Sequence, residues 1–313
     1  MGSVQTKEYN SSDDPTIKNP DWMSSLPDTM SLQHLSIPGT HSSVVFYGGN
    51  MFQTQTWHLS KQYEAGIRYV DIHCRHHYNT LPVHDGIIYQ HQTLDNIFLT
   101  TIDFLRNHSR EIILMHIKEE FEPEGNSQDF FSTVDNYMTN AGKSWFWISS
   151  IIPSVGEARG KIIILQNYDG PEMGINYNTL NISDDFHVPT LFDIGKKWFI
   201  VERHLNEAYL TNFDELYLTV CAGGSSGAYP YSVAGEINGK LYNYLASRSH
   251  EKLRYGIIAI NYPGSELIQL IIRNQPDSST LSLTASLAIP DVPLPPKPAK
   301  SNISSTTNPK KGM

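Results

Sequence analysis

Histidine is the side chain best suited to moving a proton near neutral pH, and this chain holds 13 of them. The useful ones are those presented where a reaction could reach them. His41 closes the run Leu35-Ser36-Ile37-Pro38-Gly39-Thr40-His41, an apolar strand-like start broken by Pro and Gly just before the imidazole. His84 sits in Val83-His84-Asp85-Gly86, where the apolar neighbours Leu81, Ile87 and Tyr89 read as a hairpin or short strand lifting it toward one end of a sheet. Asp71-Ile72-His73-Cys74-Arg75 ends another apolar run, and alternation puts Asp71, His73 and Arg75 on one face. Lys118 follows Ile112–Ile117 in the same strand-end position. Two imidazoles as base and acid, cations for the oxygens of a phosphorane, and one carboxylate form an inventory suited to cleaving a phosphodiester. Spacing alone leaves a metal-dependent hydrolase open, because Asp71, His73 and Glu119 could also ligate a divalent ion. Most of the other histidines, His204 and His250 among them, lack such a setting and read as surface or packing residues.

These groups need a scaffold that gathers strand ends. Short apolar runs rich in Ile, Val and Tyr recur at Leu35–Pro38, Ile67–Cys74, Glu111–Ile117, Lys161–Leu165, Glu215–Cys221 and Tyr255–Asn261, as strands covered on both faces require. Helical patterns lie between several of them. Thr93 to Ser109 opens on a Thr cap and carries Leu94, Ile97, Phe98, Ile102 and Leu105 on one stripe; Tyr231 to Ala246 repeats the pattern with Val233, Ile237, Leu241 and Leu245. Alternating strands and helices imply a mainly parallel sheet. No Gly-rich phosphate loop follows the first strand, which favours a barrel over a nucleotide-binding doubly wound sheet. The fold expected is therefore α/β, a distorted TIM-like (β/α) barrel in a single domain, with the Gly223–Gly227 loop at its C-terminal face.

Residues 21–275 are expected to form that barrel, between a flexible N-terminal segment, 1–20, and a flexible Ser/Pro-rich tail, 276–313. Within the tail, Leu281–Leu287 alternates like an exposed strand. A formal charge of −9 with scattered Lys and Arg argues against nucleic acid and against a polybasic membrane anchor. No stretch reaches the roughly 20 apolar residues that cross a bilayer, and no signal-peptide core is present, so a cytoplasmic or peripheral-membrane location is expected. Cys74 and Cys221 lie in apolar runs and read as a reduced buried pair.

Leu35–His41, Gly66–Arg75, Val83–Gly86 and Glu111–Glu120, in this order and spacing, resemble the X region of phosphatidylinositol-specific phospholipases C, with the bacterial-type enzymes and their animal relatives most similar. The resemblance covers about 21–275 and implies a distorted barrel that splits the phosphodiester between diacylglycerol and inositol through a cyclic inositol phosphate. It implies His41 as general base on the inositol 2-hydroxyl, His84 as the acid that protonates the diacylglycerol oxygen, and Asp71 as an active-site carboxylate. Lys118 matches a substrate-binding Lys of calcium-independent members. Tyr231, beside the Gly-rich loop, is the candidate for stacking on inositol. The chain departs from the family at three positions. Ser42 stands where the bacterial enzymes have Asp, His73 where they have Arg, and Asn261 where a late-strand Asp orients the base. Ser42, Asp71, His73 and Lys118 make a poor calcium cage, so no metal and no cofactor is expected, with His73, Arg75 and Lys118 supplying positive charge. The partner expected is phosphatidylinositol or a glycosylphosphatidylinositol at a membrane surface, met by a monomer. A silent inositol-lipid-binding barrel is the alternative, favoured by Ser42, His73 and Asn261.

Overall fold

In the computed structural model residues 6–276 are described, except Ser11, Asp13 and Asn212. Among the described residues there are eleven strands: β1 Ser36–Thr40, β2 Tyr69–Cys74, β3 Pro82–Asp85, β4 Ile88–Thr93, β5 Ile113–Glu119, β6 Phe146–Trp147, β7 Ile162–Asn167, β8 Ile175–Asn176, β9 Asn181–Ser183, β10 Tyr217–Val220 and β11 Gly256–Ile260. The helices are α1 Leu59–Ala65, α2 Leu94–Asn107, α3 Phe130–Ala141, α4 Val155–Ala158, α5 Ile194–Leu210, α6 Pro230–Ser247 and α7 Ser265–Arg273. The main sheet runs β6-β7-β5-β2-β1-β11-β10-β9, with parallel pairing throughout. No pairing joins β8 to β9 among the described residues, so the barrel stays open there. The β3–β4 hairpin attaches antiparallel to β2 at Cys74↔Val83.

Alternation along each strand sorts the side chains. Ile37, Tyr69, Leu114, Ile163, Leu165, Leu218, Ile257 and Ala259 fill the barrel interior. The intervening residues face the helices: Ile72, Cys74, Ile113, Met115 and Ile117 pack with α2 and α3, and Ile258 and Ile260 pack with α5, α6 and α7. This two-sided burial is why the strands read as unbroken apolar runs. α2 begins where the Asn96 side chain accepts from Thr93 N at 3.2 Å, and α1 ends at Gly66, whose φ of 118° a side chain would resist.

The N-terminal end of the barrel is tied by an ion pair removed from water. Arg68 Nη2 lies 2.7 Å from Glu111 Oε2 with both side chains fully buried, and its guanidinium also donates to the carbonyls of Tyr63, Ile67 and Pro20. Part of the N-terminal segment read as loose docks on the barrel. Tyr9 is buried and pairs with Pro263, and Asn10 N donates to Tyr262 O at 3.1 Å. A few buried residues suffice to dock a polar segment. Cys74 and Cys221 are buried free thiols. Leu281–Leu287 lies outside the described residues.

Candidate active site

The inward alternation carries on to the C-terminal strand ends, where it stops delivering apolar residues and delivers polar ones: His41 after β1, Asp71 and His73 on β2, His116 and Lys118 on β5, Asn167 on β7 and Asn261 after β11. All but Asn261 line one pocket of about 120 Å³, together with Tyr69, Tyr177, Asp184, Val220 and Ala259. A larger groove of about 370 Å³ lies beside it, lined in part by Glu119, Asp169 and Glu172. Its carboxylates would repel a phosphodiester, so the smaller pocket is the candidate.

Asp71 is the hub. Its Oδ1 receives His116 Nδ1 at 2.6 Å and His73 Nε2 at 3.0 Å, and its Oδ2 receives the backbone N–H of Ser42 at 2.9 Å. Parallel register accounts for half of this, since Asp71 lies directly across from His116 and His73 across from Lys118. Burial by itself would raise the Asp71 carboxyl, but His73 and His116 together hold it well below the usual carboxylate range. Burial likewise opposes the His73 imidazolium. The charge and hydrogen bond of Asp71 outweigh it, and His73 lies above the ordinary histidine value despite nearby Lys118. With Nδ1 also 3.5 Å from Glu120 Oε2, His73 sits between two carboxylates that favour its charged form. Lys118 Nζ reaches Glu120 Oε2 at 3.1 Å.

His41 is held by the opposite wall. Its Nδ1 donates to Asn261 Oδ1 at 3.2 Å, which assigns the proton to Nδ1 and leaves the Nε2 lone pair open to act as a base. Phe186 stacks on the ring at 5.1 Å, and Gln55 Nε2 fixes the His41 carbonyl at 2.9 Å. Ser42 has a φ of 43°, a turn that aims its N–H at Asp71 while its carbonyl accepts from Thr54 Oγ1. The cost of Asn at position 261 is visible too. Its Nδ2 is buried without a partner.

Several expected members lie elsewhere. Arg75 turns out of the pocket to Glu124 Oε2 at 2.7 Å and to the Glu122 carbonyl, lying over the Phe121 ring. Tyr231 joins an aromatic cluster with Tyr9 and Tyr262 instead of lining the pocket. His84 is not among the residues lining this pocket. Its Nδ1 is 3.3 Å from Gly86 O, its ring leans on Tyr89, and the charges acting on it are those of Arg75, His77 and Glu120. The pocket instead contains residues that sequence reasoning passed over. His116 could have been found by extending the alternation from Lys118 backwards along β5. Tyr177, stacked on His116 at 3.9 Å, and Asp184 lie in irregular segments where no period points to them.

Asp71, His73 and His116 each offer a ligand atom, all within 4.8 Å of one another. One carboxylate and two imidazoles suit a borderline ion such as zinc and not calcium, which takes six to eight oxygens. The donor set around Asp71 is therefore not that of a calcium site, and Lys118 adds a cation beside it.

Comparison with known proteins agrees with this geometry. The profile of the phosphatidylinositol-specific phospholipase C X domain matches residues 29–168. A 1-phosphatidylinositol phosphodiesterase of Listeria monocytogenes is 31% identical over 277 residues, covering 81% of this chain and 84% of that protein. One from Staphylococcus aureus is 26% identical, covering 80% and 91%. The solved structure of phosphatidylinositol-specific phospholipase C from Listeria monocytogenes superposes with a TM-score of 0.72 at 28% identity, over 83% of this chain and 100% of that one. The sheet order, the strand-end cluster around Asp71 and these likenesses lead to one conclusion: the chain belongs to the phosphatidylinositol-specific phospholipase C X-domain family.

Proposed function

We propose that this protein cleaves phosphatidylinositol, or its glycosylated form, between the glycerol oxygen and phosphorus, without a metal ion. The observation that carries the reading is the pairing of an imidazole with a free Nε2, on His41, with a cationic lining of His73 and Lys118 in the same pocket. His41 takes the proton of the inositol 2-hydroxyl as that oxygen attacks phosphorus. His73 and Lys118 face the charge that grows on the phosphoryl oxygens, in a site where water screening is reduced. Asp71 holds His73 in its charged form and the Ser42 backbone in its turn, while Asn261 fixes the His41 tautomer. Asp184 and Asn167 on the pocket wall supply polar groups for inositol hydroxyls. Contact with a lipid surface is supported by Leu191 and Phe192, adjacent apolar side chains that stand out into solvent in the segment after β9.

The test is hydrolysis of phosphatidylinositol vesicles with and without a chelator, followed by phosphorus NMR for the cyclic ester. Chelator-resistant cyclic product that disappears in His41→Ala supports the reading. The amide at Asn261 favours a second reading, a lipid-binding barrel with little turnover, because an amide cannot neutralise an imidazolium as a carboxylate does. Vesicle binding without product under either condition would select it.

A further inference from the structure

We infer that Asp85, at the tip of the β3–β4 hairpin, and not its neighbour His84, protonates the departing glycerol oxygen in this chain; the inference rests on the phosphodiesterase reading above. The two side chains are consecutive on one strand and leave it on opposite sides. Which one meets the pocket is decided by the hairpin. It is irregular, with a register shift between the Pro82↔Thr93 and His84↔Tyr89 pairs and a positive φ of 57° at His91 on the bulged strand. Its tip is tied to the pocket rim through Gly86 N, which donates to Glu120 Oε1 at 3.2 Å, while Glu120 Oε2 engages Lys118 and His73.

Held this way, the Asp85 carboxyl senses the charges of His73 and His41, and those of Glu120 and Asp71. His41, Asp71 and His73 line the pocket, and Glu120, just beyond β5, contacts His73 and Lys118. For His84 the main charges are those of Arg75 and His77, with Glu120 behind them. Burial acts on the two groups in opposite senses. It raises the Asp85 carboxyl above the ordinary Asp range, against the pull of His73 and His41, and it lowers the His84 imidazole. Burial thus favours a proton on Asp85 and opposes one on His84, and Asp85 is the side chain that the charges of His41 and His73 reach.

In the step this implies, His41 Nε2 removes the proton from the inositol 2-hydroxyl as its oxygen bonds to phosphorus. The bond from phosphorus to the glycerol oxygen breaks, its electron pair stays on that oxygen, and the Asp85 carboxyl proton moves to it. Diacylglycerol and the cyclic phosphodiester leave, with His41 protonated and Asp85 ionised. One proton passed from His41 to Asp85 through water restores the starting state.

The experiment compares two substrates. Phosphatidylinositol has an alkoxide leaving group that needs an acid; inositol 4-nitrophenyl phosphate releases a nitrophenolate that needs none. Asp85→Asn should lower kcat/KM on phosphatidylinositol by about 10²–10⁴-fold and on the nitrophenyl ester by less than about tenfold. Asp85→Glu, which keeps a carboxyl, should recover part of the loss, and His84→Ala should leave both rates within about tenfold of wild type. Equal loss on both substrates in an Asp85→Asn protein that melts like wild type would overturn the inference and leave the phosphodiesterase reading standing. So would a selective loss in His84→Ala, or a fully active Asp85→Asn. Wild type that cleaves neither substrate overturns the reading and the inference together.

Discussion

Replacing Asp71 by Asn keeps the shape of the side chain and removes its charge, and the consequences follow from three contacts. Oδ1 accepts from His116 and His73, and Oδ2 accepts from Ser42 N. An amide has only one acceptor oxygen. Turned toward the imidazoles, it sets its NH₂ against the Ser42 N–H; turned the other way, it sets its NH₂ against two ring nitrogens. At least one bond goes, and the others fall from charge-assisted, about 1.5–3 kcal/mol each, to neutral, about 0.5–1.5. The sum is a loss of roughly 3.5–6 kcal/mol, which urea unfolding at pH 7 measures directly.

The same substitution has a pH signature. The folded Asp71 carboxyl lies below its unfolded value. Its stabilising share is therefore complete above about pH 4 and is lost as pH falls through that value toward the folded one. His73 is raised in the folded state. Its share is complete below about pH 6.5 and is lost as pH rises through the folded value. Wild type should weaken at both ends, and Asp71→Asn should flatten both arms, because His73 also loses the group that favours its cation. The His73 ring protons, followed by NMR, should then titrate at lower pH. A variant within about 0.5 kcal/mol of wild type, with His73 titrating unchanged, would refute the account of Asp71 as the hub.

Asn261→Asp gives His41 a charged partner and removes the unpaired amide nitrogen, so the acid limb of the kcat/KM profile should move up by about one pH unit or more; an unmoved limb means that position 261 does not govern the base. Arg68→Ala leaves Glu111 buried without its cation and should cost about 3–5 kcal/mol in urea unfolding. Burial raises the Glu111 carboxyl, so the deficit should shrink at acid pH, and kcat of the folded fraction should be unchanged because the pair sits at the end of the barrel away from the pocket. Gly39→Ala would place a Cβ 2.7 Å from Tyr69 Cδ1 where β1 meets β2. Overpacking of about 1–3 kcal/mol and a lowered kcat/KM should follow, since Tyr69 lines the pocket; a neutral effect in a thermal melt would mean that the two strands part easily.

Burial on both faces demands runs of Ile, Val and Leu, and those runs are local properties of the chain. That is why Ile67–Cys74, Glu111–Ile117 and Tyr255–Asn261 announced β2, β5 and β11 to within two residues at each end. The same logic placed His41, Asp71, His73 and Lys118, since each is the first polar residue, or nearly so, after an apolar run, and the open barrel gathers those run ends, whereas Asn261 came from the family resemblance. What alternation could not decide is what two strands do to each other. His116 becomes part of the site because β5 pairs in the register that sets it across from Asp71. The choice between His84 and Asp85 hangs on a bulged hairpin and its tie to Glu120. Arg75 left the pocket for Glu124, and Tyr231 for Tyr9, in each case for a partner more than 40 residues away along the chain. Tyr177 and Asp184 arrive on irregular backbone that has no period to read. Periodicity is written residue by residue, whereas register, bulges and loop paths are settled by contacts between segments far apart in sequence, so only the folded chain could decide them.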